Sequence, residues 1–108
     1  EIIVWDFNKG EFPDLKVDTC LCAFTAEFVA ALPDFLKKIC NAAQKQVLMI
    51  CRPIDKEIYP LYRWQHQMLT DFTEKFLIET MQNGSFELIS AKPFPNPAVI
   101  LYDFRKKI

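Results

Sequence analysis

Short apolar runs alternate with amphipathic stretches along the chain, and this pattern predicts an α/β fold. Two segments carry apolar residues at the i, i+3, i+4, i+7 spacing of a helix, residues 32–43 and 61–82. Apolar, β-branched or aromatic runs predict five strands, at residues 2–5, 17–24, 46–51, 86–91 and 98–104. Because strands alternate with helices until the last two, we expect a mostly parallel sheet that ends in an antiparallel hairpin.

The ends of the predicted helices are marked by residues that favour them. Pro33 suits the first turn of a helix, where its missing N–H is not needed, and Asn83-Gly84 predicts a helix end. The 108 residues show no internal repeat and no domain boundary, and the loop at residues 10–16 is the only candidate linker. Since the chain begins with Glu1 and shows no signal-peptide pattern, we expect a single partial domain, residues 1–108, of a longer protein.

Composition narrows the classes of partner. The chain is 51% hydrophobic and 25% charged, with a net charge of -1, which is typical of a folded globular segment. No basic surplus favours nucleic acid or an anionic membrane surface, and no apolar run approaches the ~20 residues of a membrane span. We therefore expect no nucleic-acid partner and no membrane. A cytoplasmic location is expected from the cysteines, because free buried thiols suit a reducing compartment.

Glycine, cysteine and histidine exclude several kinds of site. The two glycines, Gly10 and Gly84, cannot form a Gly-rich phosphate loop. His66 stands alone on a predicted helix and is expected to be a surface residue. The four cysteines lack the spacing of a zinc site, which predicts free buried thiols and no metal: Cys20, Cys22, Cys40 and Cys51.

Three local sequences point to a known family. Strand 2–5 is followed by Asp6, Ala26-Glu27-Phe28 follows strand 17–24, and Asn83-Gly84-Ser85-Phe86 precedes the predicted hairpin. Together with the order of elements, they resemble the C-terminal half of a class I S-adenosylmethionine-dependent methyltransferase. The resemblance covers nearly the whole chain and implies S-adenosylmethionine as cofactor of the full-length parent. It also implies that the family's Gly-rich cofactor loop lies upstream of Glu1, so one alternative is that this chain alone binds no cofactor.

The resemblance and the sheet together indicate candidate site residues. Ligands of open parallel sheets bind at the carboxyl ends of the strands, where three segments are expected to converge. There the resemblance implies that Asp6, supported by Asn8, binds the adenine of the cofactor. Glu27 is the catalytic candidate, as a base or to orient substrate, and Arg52 is the candidate for binding a substrate carboxylate.

Each candidate also has a structural alternative. Asp6 and Asn8 are common turn-capping residues, and Glu27 is near enough to Thr25 to cap the start of a helix. Arg52, before Pro53, is also typical of a surface or salt-bridging residue. The family often has a histidine after the glutamate, but Phe28 stands there, so no obvious general base follows Glu27.

Aromatic residues near the predicted loops form a second feature. Trp64 lies on the stripe of the second helix and is expected in the core, whereas Phe7 and Phe12 flank a loop and suit a partner or substrate surface. The other aromatics of this group are Trp5, Tyr59 and Tyr62.

Two functions remain open at this point. The first is enzymatic, the substrate-side half of a methyltransferase acting on a small molecule. The alternative is a non-catalytic assembly or interaction module with a degenerate methyltransferase fold. The family's sheet order places two upstream strands between strand 2–5 and strand 17–24. Because strand 2–5 would lack these neighbours, we expect a homo-oligomer that pairs through the N-terminal strand edge.

Overall fold

The computed structural model describes Asn8 and residues 15–59, 61–94 and 96–107. The predicted strand 2–5 lies outside these residues, as do Asp6, Phe7 and Phe12. The strands and helices within them are, in chain order, β1 Val17–Ala23, α1 Leu32–Ala42, β2 Ala43–Cys51, α2 Tyr62–Gln65, α3 Glu74–Asn83, β3 Phe86–Pro93 and β4 Ile100–Lys106.

The four described strands form one mixed sheet in the order β1-β2-β4-β3. β1 and β2 are parallel, and β4 runs antiparallel to both of its neighbours, β2 and β3. The last strand of the chain is therefore inserted between β2 and β3. This arrangement confirms the predicted α/β class with its antiparallel C-terminal hairpin.

Side chains alternate between the two faces of the sheet, and one face carries the core. Cys20 and Cys22 on β1 are paired in register with Val47 and Met49 on β2, on the face that α1 and α3 cover. The same face continues through β4 and β3, with Tyr102, Phe104 and Phe86 fully buried. All four cysteines are free thiols, three of them buried and Cys20 half-buried.

Helix α1 confirms the first predicted helix. Phe35, Leu36 and Ile39 are buried against the sheet, while Asp34 and Lys38 form an exposed i, i+4 ion pair at 3.0 Å. The chain passes from α1 directly into β2 at Ala43, so the strand begins three residues before the predicted 46–51.

The predicted helix 61–82 is wrong, because the chain forms two helices with an irregular segment between them. α2 ends at Gln65, and Gln67 has the left-handed φ of 55° that interrupts a helix. A new helix starts when the Thr73 side chain caps α3 by accepting a hydrogen bond from the Phe76 N–H at 3.1 Å. The break places Trp64 on the surface with 79% of its side chain exposed, so the prediction of a core residue is also wrong.

The second face of the sheet carries apolar side chains without a covering layer among the described elements. Leu21 on β1 is 64% exposed, and its register partner Leu48 is half-buried. Ile50 and Leu101, paired across β2 and β4, are half-buried on the same face. Parallel strands are normally covered on both faces, and among the described residues this pair is covered on one.

None of the helices in the part of the chain that the structure describes is long and apolar enough to cross a membrane.

Candidate functional site

The candidate site lies where β1 and β2 end at the carboxyl edge of the sheet. A 3₁₀ turn, Ala26–Phe28, follows β1, and Arg52 directly follows β2. Glu27 Oε1 accepts a hydrogen bond from the Arg52 backbone N–H at 2.5 Å. The structure therefore brings together two of the residues that the sequence nominates, although the contact uses the backbone of Arg52.

The Glu27 carboxyl is fully buried, with a side-chain exposure of 0%. Its Oε2 atom has no hydrogen-bond partner among the described residues. Burial raises the pKa of Glu27 above its ordinary value of 4.5, against the hydrogen bond from Arg52 and the positive charges of Arg63 and Arg52. The side chain joins the turn after β1 to the end of β2 and makes no helix-capping hydrogen bond at Thr25.

Arg52 has a carboxylate partner within the chain. Its guanidinium binds Glu57 through two contacts, Nη2 to Oε1 at 2.5 Å and Nε to Oε2 at 3.1 Å. The same guanidinium lies 3.5 Å above the centre of the Tyr62 ring. Although burial opposes ionisation, the hydrogen bonds from Arg52 and from backbone N–H groups lower the pKa of Glu57. The ion-pair alternative for Arg52 is thus observed, in a buried position.

Arg63 is the buried charge that the sequence reasoning missed. Its guanidinium donates to the Arg52 carbonyl at 2.5 Å, to the Thr70 carbonyl at 2.7 Å and to Asp71 Oδ1 at 2.5 Å. Two of these acceptors are backbone carbonyls, which no sequence pattern identifies. The sequence did contain one indication. Arg63 is the one Lys, Arg, Asp or Glu between residues 58 and 69, and a lone charge in such a stretch indicates a buried partner.

Backbone hydrogen bonds close the site from the side of the irregular segment. The Glu27 carbonyl accepts from the N–H groups of both Leu69 and Thr70, at 2.8 and 3.0 Å. The Thr70 hydroxyl in turn donates to the carbonyl of Val29. Because three buried charged residues and these backbone bonds join the loops after β1, β2 and α2, the loops form one connected unit at the carboxyl edge.

Asn8 lies beside the same turn. Its amide accepts from the Ala30 N–H and donates to the Phe28 carbonyl, both at 2.9 Å. The side chain therefore contacts the loop that follows Glu27, next to the edge at which the sequence places the cofactor. The predicted cofactor role of Asn8 and Asp6 stays a prediction, and Asp6 lies outside the described residues.

Large apolar side chains surround this unit on its solvent side. Phe24 and Phe28 are exposed in the loop after β1, and the segment around α2 presents more exposed residues, namely Ile58, Tyr59, Leu61, Trp64 and Leu69. The polar network thus lies beneath a rim that is apolar and aromatic.

Comparison with known proteins gives structural neighbours only. No protein-family model matches the sequence, and no curated protein matches it. Magnesium protoporphyrin IX methyltransferase from Synechocystis with bound SAH aligns with a TM-score of 0.73 and 9% identity, over 97% of this chain and 50% of that chain. The mitomycin 7-O-methyltransferase MmcR aligns with a TM-score of 0.73 and 16% identity, over 99% and 34%.

A third neighbour is described as a pericyclic reaction enzyme, with a TM-score of 0.65 and 12% identity, over 95% of this chain and 29% of that chain. The chain therefore has the fold of part of the S-adenosylmethionine-dependent methyltransferases, which confirms the resemblance stated from the sequence. It spans half or less of the length of these three neighbours. At such identities the likeness establishes the fold, while one fold supports several chemistries.

Proposed function

We propose that this chain is the substrate-side half of an S-adenosylmethionine-dependent methyltransferase that acts on a small molecule. The observation that carries the proposal is the joining of Glu27, Arg52 and Arg63 at the carboxyl edge of a methyltransferase-like sheet. Ligands of open α/β sheets bind at that edge. Two of the structural neighbours are named as methyltransferases of small molecules, and one holds SAH.

In this proposal the cofactor and the methyl acceptor bind at different loops. Asp6 and Asn8 bind the adenine side of the cofactor, which supplies the methyl group from its sulfonium. Arg52, whose guanidinium is bound to Glu57, and Glu27 position the loops on the acceptor side. The predicted roles of Glu27 are a base or a residue that orients the substrate. The burial of its carboxyl and its bond to the Arg52 N–H favour instead a positioning role at this edge.

The proposal also includes a partial domain. The neighbours are two to three times longer than the aligned region, and the sheet has an apolar face without a described covering layer. We propose that an upstream segment of the parent protein carries the Gly-rich cofactor turn and packs against this face, where Leu21 is 64% exposed.

Titration of S-adenosylhomocysteine by calorimetry tests the proposal. We expect saturable binding that weakens about fivefold or more in Asp6→Ala, since one hydrogen bond to an adenine is worth about 1 kcal/mol or more. Asp18→Ala is the matched control, because Asp18 is an exposed aspartate on β1. If the chain does not bind, the titration is repeated on the parent protein with its upstream segment. Absence of binding there would reject the enzymatic proposal.

A non-catalytic assembly module is the second candidate, and the open sheet face favours it. Exposed apolar positions on a parallel pair promote association with a second chain. In this case the chain forms a homo-oligomer through the N-terminal strand edge and binds no S-adenosylhomocysteine. The calorimetric titration therefore separates the two candidates directly.

A further inference from the structure

The segment around α2 combines a fixed backbone with an exposed apolar surface. Its inner side is held by the three hydrogen bonds of the buried Arg63 and by the stacking of Arg52 on Tyr62. Its outer side carries Leu61, 62% exposed, and Trp64, 79% exposed. These two residues are three positions apart, so they lie on the same side of the helical turn. A solvent-exposed tryptophan on a backbone that buried hydrogen bonds fix in place is typical of binding surfaces.

The chemistry of this surface specifies its ligand. Apart from the buried Arg63, residues 58–69 contain no Lys, Arg, Asp or Glu. Exposed hydrogen-bonding groups are present, however, on Tyr59, Gln65 and Gln67. The surface thus consists of aromatic, aliphatic and amide groups and the exposed imidazole of His66. Without a Lys, Arg, Asp or Glu side chain, it favours an uncharged ligand with flat apolar faces, because an ionised ligand would find no fixed charge as its partner.

The position of the surface indicates a small molecule as the occupant. The same segment is bonded to residues that follow the two parallel strands, through Leu69 to the Glu27 carbonyl and through Arg63 to the Arg52 carbonyl. It is therefore the rim of the carboxyl edge, where open α/β sheets bind their small-molecule ligands. A stacked Tyr62–His66 pair, with ring centroids 4.1 Å apart, continues the aromatic character along α2.

We infer that this rim binds the methyl acceptor, and that the acceptor is an uncharged molecule with a planar aromatic system that stacks on Trp64. That the ligand is the methyl acceptor rests on the proposed function. That the surface binds an aromatic ligand rests on the described residues alone. Trp64 is in this view a specificity-determining residue, and it does not take part in proton transfer.

Binding of 1-naphthol tests the inference, followed by NMR through the indole N–H signal of Trp64. The sequence has a second tryptophan, Trp5, and Trp64→Phe identifies which indole signal is which. We expect a saturable shift of the Trp64 signal with 1-naphthol. With 1-naphthoic acid, which has the same rings and a negative charge, we expect affinity at least about tenfold lower, as for a charge left without a partner.

A pair of variants separates this surface from other exposed apolar positions. Trp64→Ala is expected to weaken 1-naphthol binding about five- to tenfold, as loss of one aromatic stacking contact predicts. Ile89→Ala, at a 55% exposed position on β3, is the matched control and is expected to bind as the unchanged chain does. Far-UV circular dichroism verifies that both variants are folded.

Several results would overturn the inference. These are no binding of 1-naphthol, equal binding of both probes, or equal affinity in Trp64→Ala and Ile89→Ala. A fall in the molar mass of the chain in light scattering on Trp64→Ala substitution would instead make the surface a contact between protein copies. Failure of the proposed function has a different signature: naphthol binds through Trp64, but the parent protein binds no S-adenosylhomocysteine.

Discussion

At Glu27, burial and hydrogen bonding act in opposite directions on the same carboxyl. One oxygen accepts the Arg52 N–H, and the other has no partner among the described residues. Loss of solvent outweighs the positive charges nearby, so the pKa of Glu27 is raised above 4.5. The residue is therefore a structural acceptor whose ionisation destabilises the fold.

This imbalance predicts a dependence of stability on pH. Since the folded pKa of Glu27 is raised, the unfolded chain ionises first. The stability contributed by the neutral acid is fully present below about pH 4.5 and is lost as the pH rises through the raised pKa. Glu27→Gln keeps an oxygen acceptor and cannot ionise. We expect it to match the unchanged chain near about pH 4 and to exceed it in free energy of unfolding near about pH 7, in urea denaturation.

Two further variants control this experiment. Glu27→Ala removes the acceptor of the buried Arg52 N–H and is expected to cost about 1–3 kcal/mol near about pH 4, and less as the pH rises and Glu27 of the unchanged chain ionises. Glu87→Gln, at an exposed position of β3, controls for the change in net charge. Parallel pH profiles of Glu27→Gln and the unchanged chain would contradict the role assigned to burial.

Gly84 shows a second constraint at the scale of one residue. Its backbone is close to Cys40, and a Cβ at this position would lie 2.5 Å from Cys40 Sγ and 2.8 Å from Cys40 Cβ. Gly84→Ala is expected to reduce the free energy of unfolding by about 1–3 kcal/mol through overpacking. In a Cys40→Ala background the loss should be smaller, because the sulfur is gone while the Cβ contact remains. Equal losses in the two backgrounds, measured by urea denaturation, would exclude this contact as the cause.

At the scale of residues, the sequence indicates which side chains belong to the site better than it indicates which atoms they contact. Glu27 and Arg52 were nominated from their positions after two strands, and they do meet. Their bond involves the Arg52 N–H, and the carboxylate partner of Arg52 is Glu57, five residues further on. A side-chain identity indicates what a residue can bind, whereas the choice among several acceptors depends on distances that only the folded chain defines.

At the scale of elements, the irregular segment between α2 and α3 is the informative case. The apolar spacing of residues 61–82 fits a continuous helix, and the spacing is compatible with burial of Phe72, Leu77 and Met81. The helix is nevertheless broken, because hydrogen bonds to the loop after β1 compete with helical ones. Three of the four residues in Thr70-Asp71-Phe72-Thr73 are polar, and this local sequence indicates that a helix starts at Thr73.

Arg63 should be the residue on which the irregular segment depends. Arg63→Lys keeps the charge but cannot donate to three acceptors in one plane, so we expect a loss of about 1–3 kcal/mol. Hydrogen exchange of the Leu69 and Thr70 amides should accelerate more than that of the β4 amides. Arg105→Lys is the control, since Arg105 pairs at the surface with Asp103 on its own strand. Uniform acceleration in both variants would argue against a local role.

At the scale of the whole molecule, the two faces of the sheet differ. One face is covered by α1 and α3, and the other shows Leu21, Leu48, Ile50 and Leu101 without a covering layer among the described elements. The enzymatic proposal covers this face with an upstream segment of the parent protein, whereas the assembly proposal pairs copies of the chain through the N-terminal strand edge. Both predict that the isolated 108-residue chain has an apolar surface available for association.

Sedimentation velocity over a range of protein concentrations tests where the chain associates. Leu21→Lys introduces a charge on the open sheet face, and Ile3→Lys introduces one on the predicted N-terminal edge strand. If copies pair through the N-terminal edge, we expect Ile3→Lys to produce monomers and Leu21→Lys to leave the oligomer intact. The reverse result would assign association to the sheet face, and a concentration-independent monomer would reject both.

The sequence by itself determined the class of the fold, the strands and helix from residue 17 to residue 51, and the C-terminal hairpin. Their signals are local, since periodicity, β-branched residues and Asn83-Gly84 act within a few positions. Tertiary structure decided the break before Thr73, the exposure of Trp64 and the burial of Arg63. Each of these depends on contacts between segments distant in sequence, whose hydrogen bonds override local helical preference.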